Sequence, residues 1–331
     1  MTETSAAIAD RLSEFLAAHV ADARPRVVGL RRIGIGRSRD NWVFDLVTDR
    51  HRIEALILRT DPVGGLLQTD RRAEFLLLRA LETSELPTPR ARWLDADGTW
   101  FGRPSLIMRR IRGECDYRVL RGELPLAWRK GLAERLCDLL AAVHAVDWRR
   151  LGLGELLPDP GAAAARFELD RWERILRRDQ LESHPELELA IDWFRATAPA
   201  ASRTALVHAD FKPGNVLLED GRITGLLDWE LAHPGDPLED LGWVTQPLRA
   251  SEHTIPGVWE SEDLLARYER VTGMPVHRES LAWWAAFAAF KTAVMQVSGL
   301  RSFLDGRSDK PFRPTRAVLG TLLAAVGEGR Y

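Results

Sequence analysis

The alternation of apolar and polar positions divides the chain into two textures. Between residues 28 and 60, "VVGLRRIG", "NWVFDLVT" and "RIEALILRT" each read as a short strand bounded by turn-rich stretches, with "TDR" ahead of His51 as a hairpin turn. Three such strands in succession predict a small antiparallel sheet. "RRAEFLLLRALETS" then places Phe75, Leu76, Leu78 and Leu81 at helical spacing and ends before "ELPTP". "PRARWLDA" and "PSLIMRRIRG" add two further strand-like pieces.

After Gly113 long amphipathic helices take over, as in "LAWRKGLAERLCDLLAAVHAV", with "PDPGAAAARFELD" (158–170) as a linker into a helix. One β-rich island interrupts them around 204 to 228: "TALVH" and "NVLLE" read as strands, "DGR" as a turn and "ITGLLD" as the next strand. At the start, "MTETSAAIADRLSEFLAAH" is amphipathic and carries acids early, without a basic region followed by an apolar core, so a surface helix is expected rather than a signal. The expected division is an N-terminal helix over 1–27, a β-rich lobe over 28–112 and a helical lobe over 113–331. No internal repeat or low-complexity segment is apparent.

Composition narrows the partners more than the fold. A chain of 331 residues that is 45% hydrophobic can bury a sizeable core. A net charge of -2 gives no bulk electrostatic reason to expect nucleic acid or an anionic membrane, which leaves a small molecule as the expected partner. Two cysteines, Cys115 and Cys137, are too few for a disulfide framework and not in a metal-ligand spacing, which suits a reducing cytoplasm. The apolar stretch "LAWWAAFAAFKTAVMQVSGL" is borderline in length for a membrane span of about 20 residues. Lys291 and Gln296 break it, so it reads as a buried helix. The first 113 residues carry a net charge of about +4 and the remainder about -6, and no lysine precedes Lys130. No segment reads as a coiled coil, so a monomer or homodimer is expected.

The chemistry concentrates in "LVHADFKPGNVLL". A turn between two strands needs only Pro213-Gly214, yet this one also holds His208, Asp210, Lys212 and Asn215. The island's strands bring Asp210, Asn215 and Asp228 to one end of a hairpin. Phosphoryl transfer needs such parts: a carboxylate to orient the attacking hydroxyl and accept its proton, and oxygen ligands for Mg²⁺. Asp and Asn also cap turns, and either alone reads that way. An H-x-D-x-x-x-x-N run followed by an Asp at a strand end exceeds what a turn requires. A metal-dependent hydrolase built on Asp228, Glu230 and Asp236 lacks a matching histidine cluster, and His233 beside Pro234 reads as a loop histidine.

The run "HADFKPGNVLL…ITGLLDWELAHPGDPLEDLGW" resembles the catalytic and metal-binding segments of the aminoglycoside phosphotransferase and choline kinase-like families, which share the protein-kinase-like fold. The resemblance implies an α+β, two-lobed protein-kinase-like fold, with a small antiparallel sheet lobe that binds the nucleotide and a larger helical lobe that holds the catalytic loop and the acceptor. It implies Asp210 as catalytic base and Asn215 and Asp228 as Mg²⁺ ligands. His208 would support the loop and Asp236 and Asp240 would brace its backbone, while Lys212 would either touch the γ-phosphate or be solvated. In the front lobe, Gly34 and Gly36 would let a hairpin approach the phosphates of ATP, Arg59 stands where such kinases carry a lysine, and Glu74 sits where its pairing acid belongs. Arginine clamps phosphate through a rigid fork and keeps its charge. By the same carry-over Met108 lines the adenine pocket, and the backbone of Arg109 and Ile111 hydrogen-bonds the base.

The segments "LILRTDPVGGLLQTDRRAEFLLLRALETSELPTPRARWLD" and "WWAAFAAFKTAVMQVSGLRSFLDG" are similar to a branch related to the kinase domain fused to some acyl-CoA dehydrogenases. An ATP- and Mg²⁺-dependent O-kinase acting on a small-molecule hydroxyl follows from that resemblance. The branch favours a hydroxyacyl or other nonpolar alcohol as acceptor, and Trp243, Trp259, Trp283 and Trp284 could line such a pocket or pack the core. Aminoglycoside or macrolide phosphorylation is the alternative within this class. A nucleotide-binding pseudokinase acting as an interaction module is the alternative outside it, suggested by the missing lysine.

Overall fold

The structure, a computed structural model, describes residues 5–21, 25–33, 40–48, 53–61, 70–308 and 311–328. Helix α1 (Ser5–His19) precedes the strands β1 (Arg26–Ile33), β2 (Asp40–Val47) and β3 (Ile53–Thr60). Helix α2 (Arg71–Leu81) and the strands β4 (Ala91–Asp95) and β5 (Ser105–Arg109) complete the front lobe. The five strands form one antiparallel sheet in the order β1-β2-β3-β5-β4.

The period-2 alternation of β3 decides what each face of this sheet does. Leu56 and Leu58 point to a core shared with Trp42, Phe44 and Ile107, and α1 closes that core with Ile8, Leu12, Phe15 and Leu16. The N-terminal helix is therefore packed on the sheet. Ile57 belongs to the core on the other face, which includes α2, so Arg59, two residues on, shares that face. Asp70 caps α2, its side chain accepting from the backbone N–H groups of Arg72 and Ala73. The buried residues of α2 are Arg71, Glu74, Leu77, Leu78 and Leu81. Leu77 is buried beside Leu78 and Leu81 while Phe75 packs partly buried against the same core, and the charged Arg71 and Glu74 also turn inward, where Glu74 meets Arg59.

In the larger lobe, α3 (Leu126–His144), α4 (Ala164–Asp179) and α5 (Pro185–Thr197) lead to β6 (Ala205–Val207), β7 (Val216–Glu219), β8 (Arg222–Leu226) and β9 (His233–Gly235). Strand β6 pairs with β9, and β7 with β8. The chain ends in α6 (Leu238–Thr245), α7 (Ala250–His253), α8 (Ser261–Thr272), α9 (Arg278–Leu304) and α10 (Arg316–Glu328). The apolar stretch from Leu281 lies in α9, a central strut packed on by α4, α5, α6 and α10. A Cβ at Gly242 of α6 would fall 2.6 Å from the carbonyl carbon of Trp284, so only glycine lets the two helices cross this closely. Among the described residues no helix is long and apolar enough to cross a membrane.

The two lobes are joined through the segment after β5, which lies on the β7–β8 hairpin. Glu114 exchanges backbone hydrogen bonds with Leu218, and Thr224 donates its hydroxyl to the carbonyl of Arg112 at 2.6 Å. Gly113 carries a φ of 125° there, and a Cβ would meet the Leu218 carbonyl oxygen at 2.9 Å.

Candidate active site

Strand β6 delivers the chain into the 208–215 loop, and the first two residues of that loop are held by one carboxylate. The N–H groups of His208 and Ala209 each donate to Asp240 of α6 at 2.7 Å, and His144 of α3 approaches the same carboxylate at 3.0 Å. Burial alone would raise the Asp240 pKa, but the His144 hydrogen bond and the neighbouring charges hold it below the usual carboxylate value. Ala209 adopts φ 63°, a left-handed conformation that costs a non-glycine residue about 1 kcal/mol. Its carbonyl accepts from Lys291 Nζ at 2.8 Å. The turn thus aims Asp210 away from the strand direction.

Asp210 is gripped from its own loop. Its Oδ2 accepts from Lys212 Nζ at 2.6 Å and from Asn215 Nδ2 at 3.1 Å, and its carbonyl accepts from the same amide at 2.9 Å. The Leu227 N–H donates to the Asn215 carbonyl at 2.8 Å, which ties the loop to the residue before Asp228. His208 strengthens that tie: its Nε2 lies 2.9 Å from the Leu227 carbonyl, and its Nδ1 accepts from the Asp210 N–H at 3.3 Å. Desolvation lowers the His208 pKa, so the ring is neutral with its proton on Nε2.

Asp228 also adopts a left-handed backbone, φ 62°, and its side chain is 38% exposed. Arg59 reaches it from the front sheet, 2.6 Å to Oδ1, and lies 3.4 Å from Glu74 Oε1. The second oxygen of Glu74 pairs with Arg71, which also pairs with Asp61. Although burial opposes ionisation, Arg59 and Lys212 hold the Asp228 pKa below the usual carboxylate value. Arg59, Glu74 and Asp228 thus form one ion-paired group and Asp210, Lys212 and Asn215 another, joined by the Leu227–Asn215 backbone bond and by the charge of Lys212 acting on Asp228.

The other sequence candidates fall around this cluster. Gly34 and Gly36 lie outside the described residues, as does the segment following Asp61. Met108 is buried in β5 with 3% exposure. The Arg109 N–H donates to the Arg90 carbonyl at 2.9 Å, so in this arrangement it is not open to an adenine acceptor. The Ile111 side chain lies where a Cβ on Gly225 would meet it at 3.0 Å, above the β7–β8 hairpin. Asp236 does not hold the 208–215 loop in the manner of Asp240. It accepts from the Leu238 N–H at 2.9 Å and from Trp284 Nε1 at 3.1 Å, fixing the entry to α6. His233 sits in β9, not in a loop, and its Nε2 lies 3.1 Å from Glu239, apart from the Asp228, Glu230 and Asp236 set. Trp243, Trp259, Trp283 and Trp284 are all core residues, none more than 4% exposed.

Two residues that brace this site were not among the sequence candidates. Arg71 stands one helical turn before Glu74, and an i, i+3 charge pair at the start of an otherwise apolar helix face was its signal. Lys291 was visible as the charge that interrupts the most apolar stretch of the chain, but only the fold brings it to Ala209.

A five-stranded antiparallel sheet beside a mainly helical lobe, with an arginine of the sheet paired to an aspartate of the helical lobe, defines a protein-kinase-like fold. The chain belongs to the phosphotransferase enzyme family, whose model matches residues 29–284. It is 24% identical over 275 residues to mouse (Mus musculus) acyl-CoA dehydrogenase family member 10, covering 76% of this chain and 25% of that protein. Chicken (Gallus gallus) acyl-CoA dehydrogenase family member 11 is 26% identical over 273 residues, covering 77% of this chain and 35% of that one. The chain thus spans about a quarter to a third of these relatives' length. Homoserine kinase of Rhodospirillum rubrum is 27% identical over 252 residues, covering 72% and 70% of the two chains. A provisionally assigned aminoglycoside phosphotransferase from Ralstonia eutropha JMP134 superposes with a TM-score of 0.69 at 21% identity, covering 96% of this chain and 94% of the other. A thermostable mutant of the aminoglycoside phosphotransferase APH(4)-Ia, in ternary complex with AMP-PNP and hygromycin B, gives 0.61 at 18% identity, with 96% and 98% covered.

Proposed function

We propose that this protein is an ATP- and Mg²⁺-dependent small-molecule kinase that transfers the γ-phosphoryl group of ATP to a substrate hydroxyl in the cytoplasm. The observation that carries this reading is that Asp210 and Asn215 lie on a loop tied to the residue before Asp228, and that Arg59, paired with Glu74, reaches Asp228 from the other lobe. In it Asp210 orients the acceptor hydroxyl and takes its proton, with Lys212 beside the carboxylate to offset charge arriving with the phosphate.

Asn215 and Asp228 would hold Mg²⁺. The donor set fits: the Asn215 nitrogen is engaged by Asp210, which turns the amide oxygen to the remaining side, and Asp228 already holds a cation, the Arg59 guanidinium, at Oδ1. Carboxylate and amide oxygens are the ligands Mg²⁺ prefers alongside phosphates. When bound, the ion neutralises charge on the β- and γ-phosphate oxygens. Arg59, braced by Glu74, would then turn its fork to the phosphates, a bidentate contact that lysine could not make. Met108 and the backbone around Arg109 and Ile111 would receive the adenine, with the Arg109 carbonyl in place of its occupied N–H. Gly34 and Gly36 would cover the phosphates.

The acceptor we put first is a hydroxyacyl compound or other nonpolar alcohol, because this chain matches a part of longer proteins named for acyl-CoA dehydrogenation. The buried tryptophans lend this choice no support. Homoserine and the aminoglycosides are the competing acceptors, each the namesake of a similar protein. The test is acceptor-dependent ADP release with MgATP across hydroxyacyl-CoA thioesters, homoserine, choline, aminoglycosides, macrolides and sugars. Release with one class, lost in Asp210→Ala, supports the reading. A full panel without release would favour the nucleotide-binding pseudokinase if MgATP still raised the melting temperature.

A further inference from the structure

Lys291 is the one basic residue of the central helix that sits among its buried positions, 2% exposed, between the rings of Trp172 and Trp243 at 5.3 and 5.2 Å. Placing an ammonium there is costly unless it is paired and hydrogen-bonded. Its partners are the Ala209 carbonyl at 2.8 Å and Glu239 Oε1 at 3.1 Å. Glu239 in turn meets His233 at 3.1 Å, and His233 lies 3.5 Å from Glu168, which accepts from Trp172 Nε1 at 3.1 Å and pairs with Arg171 at 3.2 Å. Glu168, His233 and Glu239 place ligand-type atoms within 4.8 Å of one another, but Lys291 and Arg171 already supply the positive charge there. The cluster is thus an anchor whose two carboxylates are already paired, rather than a vacant cation site. Its outlet is the loop: Asp240 holds the N–H groups of His208 and Ala209, while Lys291 holds the Ala209 carbonyl. Both ends of a residue at φ 63°, directly before Asp210, are gripped by buried charges.

We propose that Lys291, anchored by Glu239, His233 and Glu168, is a positioning residue that holds Ala209 in its left-handed conformation and so fixes the direction of Asp210. The inference rests on the assignment of Asp210 as the base. Without the ammonium, the Ala209 peptide has a lower-energy right-handed or extended alternative, and Asp210 leaves its line to the acceptor. A misplacement of about 1 Å at a reacting group costs on the order of 10²-fold in rate.

The test is a double-mutant cycle of Lys291→Met and Ala209→Gly, because glycine takes a φ of 63° at no steric cost and should need the lysine less. Backbone amide exchange over residues 207–216 is read with and without MgATP, together with ADP release from MgATP alone and with the alcohol panel. Lys291→Met should speed exchange at His208 and Ala209 by about tenfold or more and lower ADP release about 10- to 100-fold. It should leave the melting-temperature rise given by MgATP intact. In the Ala209→Gly background the same replacement should cost several-fold less on both readouts, and that background supplies the comparison if the single methionine variant does not fold. Exchange unchanged by Lys291→Met would overturn the proposal. So would an equal effect in both backgrounds, or loss of the MgATP response along with the rate. Asp210→Asn separates the two claims: if it keeps full ADP release, the base assignment fails, whereas its inactivity beside a fully active Lys291→Met sinks only the role of the lysine.

Discussion

Replacing Asp240 by Asn keeps the size of a fully buried side chain and removes only its charge and one acceptor oxygen. Asp240 Oδ2 accepts from the His208 N–H and approaches His144 Nε2, while Oδ1 accepts from the Ala209 N–H. The least costly orientation of an Asn amide places its oxygen at His208 and His144 and its NH₂ against the Ala209 N–H, so two donors face each other where no water reaches. A lost charge-assisted bond is worth about 1.5 to 3 kcal/mol, and a buried donor left unpaired about 1 to 3. The expected destabilisation is therefore about 3 to 5 kcal/mol, a large share of a typical folding free energy. The charge adds a pH signature. Because the folded pKa of Asp240 lies below its ordinary value of 3.8, its contribution is complete above that value and fades as the pH falls through the folded pKa. Denaturant unfolding of Asp240→Asn at several pH values should show the full loss at pH 7, narrowing below about pH 4. A variant within about 1 kcal/mol of wild type at pH 7 would refute this account of the brace.

Other outcomes follow from the same contacts. Arg59→Ala should weaken MgATP binding by about 10- to 100-fold in calorimetry, the value of a charge-assisted contact, and Arg59→Lys should recover only part of it; equal affinity in all three proteins would place Arg59 outside the nucleotide site. His253 is buried and its pKa is pushed down to about 3, first by desolvation and then by Arg249. The unfolded chain therefore binds a proton that the folded chain refuses, and stability should fall with falling pH between about 6.5 and 3. His253→Phe should flatten that slope in acid titration of the unfolding free energy, and an unchanged slope would count against it. Trp284→Phe removes the donor to Asp236, with an expected loss of about 1 to 3 kcal/mol and little change in MgATP affinity; a selective loss of affinity would assign Asp236 a different part.

The fold was legible wherever periodicity was strong. All five front strands and α2 were readable from short apolar runs between turn residues and from helical spacing, although β1 is mostly exposed and β5 almost wholly buried. The 208–228 cluster was legible for a different reason: a turn does not need Asp210, Asn215 and Asp228 together, so excess chemistry marked it. What stayed hidden depends on contacts between distant segments. The Ala209 carbonyl and Lys291 are 82 positions apart, and no local pattern announces a lysine as a brace rather than a break in an apolar helix. Leu77 is fully buried while Phe75 packs at the edge of the same core, and the inward placing of Arg71 and Glu74 on α2 is a tertiary feature that helical spacing alone does not show. Asp236 and Asp240 look alike in sequence, and only the approach of β6 to the N-terminal end of α6 separates the loop brace from the helix-entry bond.

Phosphoryl transfer itself is read by following label from [γ-³²P]ATP to the alcohol panel in the presence of Mg²⁺, with wild type and Asp210→Ala side by side. Labelled product from one acceptor class is expected with wild type, falling about 10²- to 10⁴-fold in the variant while MgATP still raises its melting temperature. Equal labelling by both proteins, or no transfer from a wild type that binds MgATP across the whole panel, would contradict the account.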